Sequence, residues 1–113
     1  GLLCLRNGEW SGKQLVPANW FKESTVAYSQ TGPGVGYGYM WWVSVDGWHL
    51  GNKFKSKTIR PYSARGNYGQ YIVVIPEMDL VVVQSVDKSA GDKTAKGKSF
   101  NALLKLILAS RTR

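Results

Sequence analysis

The sequence predicts an α+β fold: a mainly antiparallel sheet of about four or five strands, a short helix near the N-terminus and an amphipathic helix at the C-terminus. Three observations predict it. "YIVVIPEMDLVVV" (71–83) places two apolar, β-rich runs around a Pro-led turn, the pattern of a tight hairpin. "GYGYMWWV" (36–43) is a second β-rich stretch, dense in aromatic residues. Phe100, Leu103, Leu104, Ile107 and Leu108 recur at helical spacing, an apolar stripe of about three turns.

Taken in chain order, "GLLCLRNGEW" has neither a basic leader nor a small-residue cleavage site, so it does not read as a signal peptide. Its apolar opening is expected to be an element entered partway along. "PANWFKEST" (17–25) reads as a short helix with Pro17 at the first position, where no N–H is required. The glycines at 32, 34, 36 and 38 open a loop that leads into a strand over 37–45. A period of two would place Tyr37, Tyr39, Trp41, Val43 and Val45 on one face, with Met40 and Trp42 on the other. Asp46-Gly47 is a two-residue hairpin signal that returns the chain over 48–51. A second hairpin pairs 70–75 with 80–86 across "PEMD". Ser99 is placed to cap the final helix. "YIVVI" and "LVVV" are apolar on both faces, so both sides of the sheet need cover. The final helix can supply one side. The helix after Pro17 is too small for the other, which predicts covering chain beyond this sequence or self-association through the open face.

Composition narrows the classes. The chain has 113 residues, 43% of them apolar, with five Trp and six Tyr, enough for one domain with a core. No run approaches the ~18 consecutive apolar residues of a membrane span. Cys4 is the single cysteine, which excludes an intrachain disulfide and leaves the compartment open. The net charge of +8 comes in two clusters, Lys53, Lys55, Lys57 and Arg60, then Lys88, Lys93, Lys96 and Lys98. Both read first as solvated surface and second as a phosphate-binding face.

"GPGVGYGY" fails the dinucleotide pattern, because Tyr39 stands where the third glycine belongs and the run precedes a strand. His49 is the lone histidine and has no metal-ligand spacing around it, so neither metal nor cofactor is expected. Trp41, Trp42 and Trp48 can stack on sugars or bases, although strand spacing favours the core. There is no G-x-S-x-G elbow, and the S-x-x-K spacing at 85–88, "SVDK", ends a buried strand and is discounted. "SARGNYGQ" (63–70) reads as a glycine-bearing turn between strands. Glycine there also lets a ligand approach the backbone, whose N–H can hold a developing oxyanion.

The order "NGEWSGKQLVPANWFKEST", "GYGYMWWV", "SARGNYGQYIVVIPEMDLVVV" and a terminal amphipathic helix resembles the C-terminal third of the serine β-lactamase and penicillin-binding-protein-like hydrolases. The likeness is greatest to the branch holding class C β-lactamases, esterases and 6-aminohexanoate-dimer hydrolases, and it spans residues 1–86 in order. It implies that residues 1–113 form the C-terminal part of one such domain, whose S-x-x-K serine and second-motif Tyr or Ser lie upstream. The family's third motif matches Ala64-Arg65-Gly66, so that the Asn67 backbone N–H would be an oxyanion donor and Ala64, Arg65, Gly66 and Tyr68 would contact substrate. Ala64 lacks the Lys, His or Trp side chain of that motif, which points away from β-lactams and towards esters or amides. The chain alone is then expected to be inert, while the substrate of its parent and the compartment, periplasmic, secreted or cytoplasmic, stay open. Two alternatives stay open: a basic module that binds single-stranded nucleic acid, and a dimerising interaction domain.

Overall fold

A computed structural model describes residues 1–45, 57–87, 89 and 97–111. The chain begins with helix α1 (Leu2–Leu5) and a ribbon of β1 (Glu9–Trp10) and β2 (Lys13–Gln14), followed by helix α2 (Ala18–Ser24). Strands β3 (Ser29–Gly32), β4 (Val35–Tyr37), β5 (Trp42–Ser44), β6 (Tyr62–Gly66), β7 (Gln70–Ile75) and β8 (Leu80–Gln84) follow, and helix α3 (Gly97–Ala109) comes last. β3 to β8 form one sheet in sequence order, every neighbouring pair antiparallel. The α+β class is therefore observed. The main sheet has six strands where four or five were expected, because short hairpins fold inside stretches read as loop or as single strands.

The expected strand over 37–45 is two strands and a turn. Met40 takes a left-handed φ of 67°, and the Gly38 N–H donates to the Trp41 carbonyl at 2.8 Å, so the chain reverses between β4 and β5. Tyr37 then lies opposite Trp42 across the new pair, and the single aromatic face predicted for Tyr37, Tyr39, Trp41, Val43 and Val45 does not form. Pro33-Gly34 closes β3 on β4 with Gly34 at φ 71°, and Ser11-Gly12, at 49° and 77°, closes β1 on β2. The Asp46-Gly47 hairpin, the returning segment 48–51, His49 and Lys53, Lys55, Lys88, Lys93 and Lys96 of the two basic clusters lie outside the described residues.

The β7–β8 hairpin forms over 70–75 and 80–84, its strand shorter than expected at the far end. Its turn is a 3-10 segment, Pro76–Met78, ending on Asp79 in the left-handed region. Register decides which side chains share a face. Ser63 lies opposite Val73 and Val73 opposite Val82, so these point to α3 with Tyr71 and Ile75. There Phe100, Leu104 and Leu108 are buried against Val73, Ile75 and Val82, and Phe100 stacks on Tyr71 at 4.3 Å between centroids. Each such buried side chain contributes about 1.5–3 kcal/mol. Leu103, expected in the stripe, is 45% exposed and lies off the contact face. Ser99 does not cap α3, since the helix already begins at Gly97.

The other face carries Tyr62, Val74 and Val43, and Cys4 and Leu5 of α1 pack upon it together with Trp41 and Ile72. The N-terminal apolar run is thus a short helix, and it covers part of the face that the sequence left without cover. Burial pushes the Cys4 thiol up, and desolvation, then Cys4 and Glu77, push the Tyr62 phenol up. Val83, at 60% exposure, remains open on this face. Among the described residues no helix is long and apolar enough to cross a membrane.

Candidate functional site

The predicted site residues fall at the β6–β7 turn. Gly66 pairs with Gln70, and Asn67, Tyr68 and Gly69 make the 3-10 connection between them. Tyr68 sits at φ 67° and Gly69 at φ 92°, two left-handed residues in succession. For a non-glycine such as Tyr68 that geometry costs of order 1–3 kcal/mol, which the surrounding contacts must offset. Two amides supply some of them. Gln70 donates from Nε2 to the Val86 carbonyl at 2.9 Å and accepts the Val86 N–H on Oε1 at 3.0 Å. Gln84 donates to the Gly69 carbonyl at 2.8 Å. The side chain of Gln70 thereby continues the ladder to β8 after the main chain has turned away.

β5 pairs with β6 only at Val43–Tyr62 and Trp42–Ser63. Beyond Ser63, β6 runs on through Ala64, Arg65 and Gly66, paired with β7 alone among the described residues. Alternate backbone groups of a strand point to its two neighbours, so this overhang presents unpaired polar groups on the vacated side. A cleft of about 490 Å³ opens there. Ala64, Arg65 and Gly66 border it, with Tyr37, Met40 and Ile72 as apolar wall and Gln84 and Ser85 across from them. Asn67 and Tyr68 stand at the adjoining turn and are not among its lining residues.

Arg65 shares the α3 face with Ser63. Its Nε donates to the Ser63 Oγ at 3.1 Å, and its guanidinium carbon lies 5.2 Å from the Trp42 ring centroid. Tyr37 in turn meets Trp42 edge-on at 5.1 Å. The residue as a whole is exposed, but the indole and Ser63 exclude water from one side of its head. That desolvation, larger than the opposing influence of Tyr71, lowers the guanidinium below its ordinary range while leaving it charged at neutral pH. Ser63, Gln70 and Gln84 were not singled out from sequence as site residues, and Trp42 was read only as a ring able to stack on a ligand, not as a partner of Arg65. The period of two relates Ser63 to Arg65, but Trp42 needs the cross-strand register.

The discounted "SVDK" ends as expected, just past β8. Ser85 borders the cleft, but 85–87 have no regular structure and Lys88 lies outside the described residues. An S-x-x-K pair needs one helical turn to bring its two side chains together, and none is present at 85–87. No group of three or more His, Cys, Asp or Glu able to hold a metal occurs among the described residues.

A separate aromatic cluster lies on the surface. Tyr28 stacks on Tyr39 at 5.0 Å and 12°, and Trp20 leans on Tyr39 at 5.5 Å. These rings face one another, which leaves fewer open faces for bases. Trp41, likewise, is set edge-on to Tyr62 within the core. The Tyr39 hydroxyl donates to Glu23 Oε1 at 3.0 Å. Its pKa is pushed up to about 12 from an ordinary 10, by the Tyr28 hydroxyl first and Glu23 second. Protonated Tyr39 is the form the fold favours, so its contribution is complete below pH 10 and lost as pH rises towards 12. In a phenolate absorbance titration Tyr39 and the buried Tyr62 are both expected to ionise late, and Glu23→Gln to bring only one of them, Tyr39, earlier. An unchanged titration curve would rule out the contact.

Compared with protein-family models and with curated proteins, the chain matches no family model and no curated protein.

Proposed function

We propose that this chain is the C-terminal part of a β-lactamase-like serine hydrolase domain that cleaves an ester or amide through an acyl-enzyme intermediate. The single observation that carries the reading is the overhang of β6, a backbone edge opening on the cleft at the three residues matched to the family's third motif. The antiparallel sheet with an amphipathic C-terminal helix on one face is compatible with it. Asn67 contributes one backbone oxyanion donor from the braced turn, while Ala64, Arg65, Gly66 and Tyr68 contact substrate. Removing one such donor from a hydrolase costs about 10²–10³ in rate. Ala64 supplies no gripping side chain, which favours esters and amides over β-lactams.

The reading divides the chemistry between this chain and a nucleophile upstream. The chain alone is expected to neither hydrolyse p-nitrophenyl butyrate nor react with a fluorophosphonate probe. A chimera in which residues 1–113 replace the corresponding segment of an esterase from that family should do both. A chimera that folds, yet shows no labelling and no turnover, overturns the proposal. Turnover by the isolated chain would overturn the division of labour.

A further inference from the structure

Among the described residues that line the cleft Arg65 alone is charged, and no carboxylate among the described residues pairs with it. Its Nε is occupied by Ser63, so the fork of its two outer nitrogens has no acceptor among the described residues. The orientation is held from two sides, by the buried Ser63 hydroxyl below and by the Trp42 ring against the guanidinium plane. The cleft's other amides are engaged, Gln70 with the Val86 backbone and Gln84 with the Gly69 carbonyl. The rest of the wall, Tyr37, Met40, Tyr71, Ile72 and Val83, is apolar or aromatic.

A pre-oriented guanidinium matches a carboxylate in two parallel hydrogen bonds, and it gains from pairing because one side of it is already dry. An apolar body is what the remaining wall accepts, and the cleft is within the ordinary size of small-molecule sites. We infer that the cleft binds a monocarboxylate with an apolar or aromatic body, its carboxylate on the Arg65 fork and its body along Tyr37, Met40 and Tyr71. Ala64 and Arg65 point to opposite faces of β6, so the anion is gripped from the α3 side and not from the Ala64 position. As a statement about substrate this rests on the hydrolase reading and adds a charge to it. As a statement about binding it needs no chemistry, so failure to bind and failure to turn over are read separately.

The test is a two-dimensional NMR titration of the full chain with 4-phenylbutyrate, 4-phenylbutanol, 4-phenylbutylamine and inorganic phosphate. The expected result is saturable shifts at the Arg65 Nε–H, the Trp42 indole and the Gly66 amide with the acid only. Arg65→Gln should weaken the acid about tenfold or more, and Arg65→Lys should recover only part of that loss. Comparing acid with alcohol on the unaltered chain keeps the test valid if either variant fails to fold. Equal binding of acid and alcohol would reduce the cleft to an apolar groove and overturn the inference. Phosphate binding as tightly as the acid would overturn the apolar half of it, and no saturable shift would overturn all of it.

Discussion

Phe100→Ala is expected to destabilise the chain by about 3–5 kcal/mol, a large share of the total stability of a domain this size. Phe100 is 2% exposed and stacked on Tyr71, and it anchors the first turns of α3 against Val73 and Val82. Truncation removes the transfer energy of the ring and leaves a cavity between a helix and a sheet that cannot both close on it. The flanking Leu104 and Leu108 stay wedged against Val73 and Ile75, so relaxation is limited. In urea the midpoint should fall with the slope unchanged, which marks lost stability and not a changed unfolded state. Leu103→Ala is the matched control. Leu103 lies on the same helix at 45% exposure, and its loss should stay within about 0.5 kcal/mol. Equal costs for the two variants would mean that α3 docks by some other face.

That control also marks the limit of what periodicity could say. Five residues at i, i+3, i+4, i+7 and i+8 define a stripe wider than the strip of sheet it meets, and the sheet selects Phe100, Leu104 and Leu108 from it. The β7–β8 hairpin was legible because two strong signals agreed, a Pro-led turn and apolar runs at each side. α2 was legible from Pro17, although Pro17 precedes the first helical residue instead of occupying it. The hairpins at Ser11-Gly12 and Pro33-Gly34 carried turn signals too. Their strands are only two to four residues long, too short for alternation to show in sequence. The break at Met40 was hidden for a different reason. A left-handed methionine is an outcome of the tertiary contacts around it, and no local preference announces it. For the site, sequence placed Ala64, Arg65 and Gly66 together but could not show the overhang, because that depends on where β5 stops. Nor could it place Arg65 on Trp42, a contact made across two strands separated by more than a dozen residues of chain.

The same break in the 37–45 segment sets up the second large effect, at Gly38. A Cβ on Gly38 would collide with the Ser24 carbonyl oxygen, come within 2.7 Å of the Val26 carbonyl oxygen and press on the Ser24 carbonyl carbon at 3.2 Å. All three atoms are backbone, so no side chain can swing aside to relieve the contact. The Ser24 carbonyl is also the acceptor for the Tyr39 N–H at 2.9 Å, the bond that ties the end of α2 to the β4–β5 turn. Gly38→Ala should therefore cost about 1–3 kcal/mol through overpacking. If the carbonyl is displaced from Tyr39, about 1 kcal/mol more is lost with the hydrogen bond. Gly32→Ala, in β3 with nothing within 4 Å of the added carbon, is the control and should be near neutral. The expected readout is a lower urea midpoint for Gly38→Ala alone, with faster amide exchange at Tyr39. The Trp42–Arg65 contact should loosen as well, since Trp42 follows directly from the turn that Gly38 begins. A Gly38→Ala variant as stable as the parent, with Tyr39 still protected, would show that α2 does not press on this turn. In that case the placement of Trp42 under Arg65 would need another support than the packing of α2.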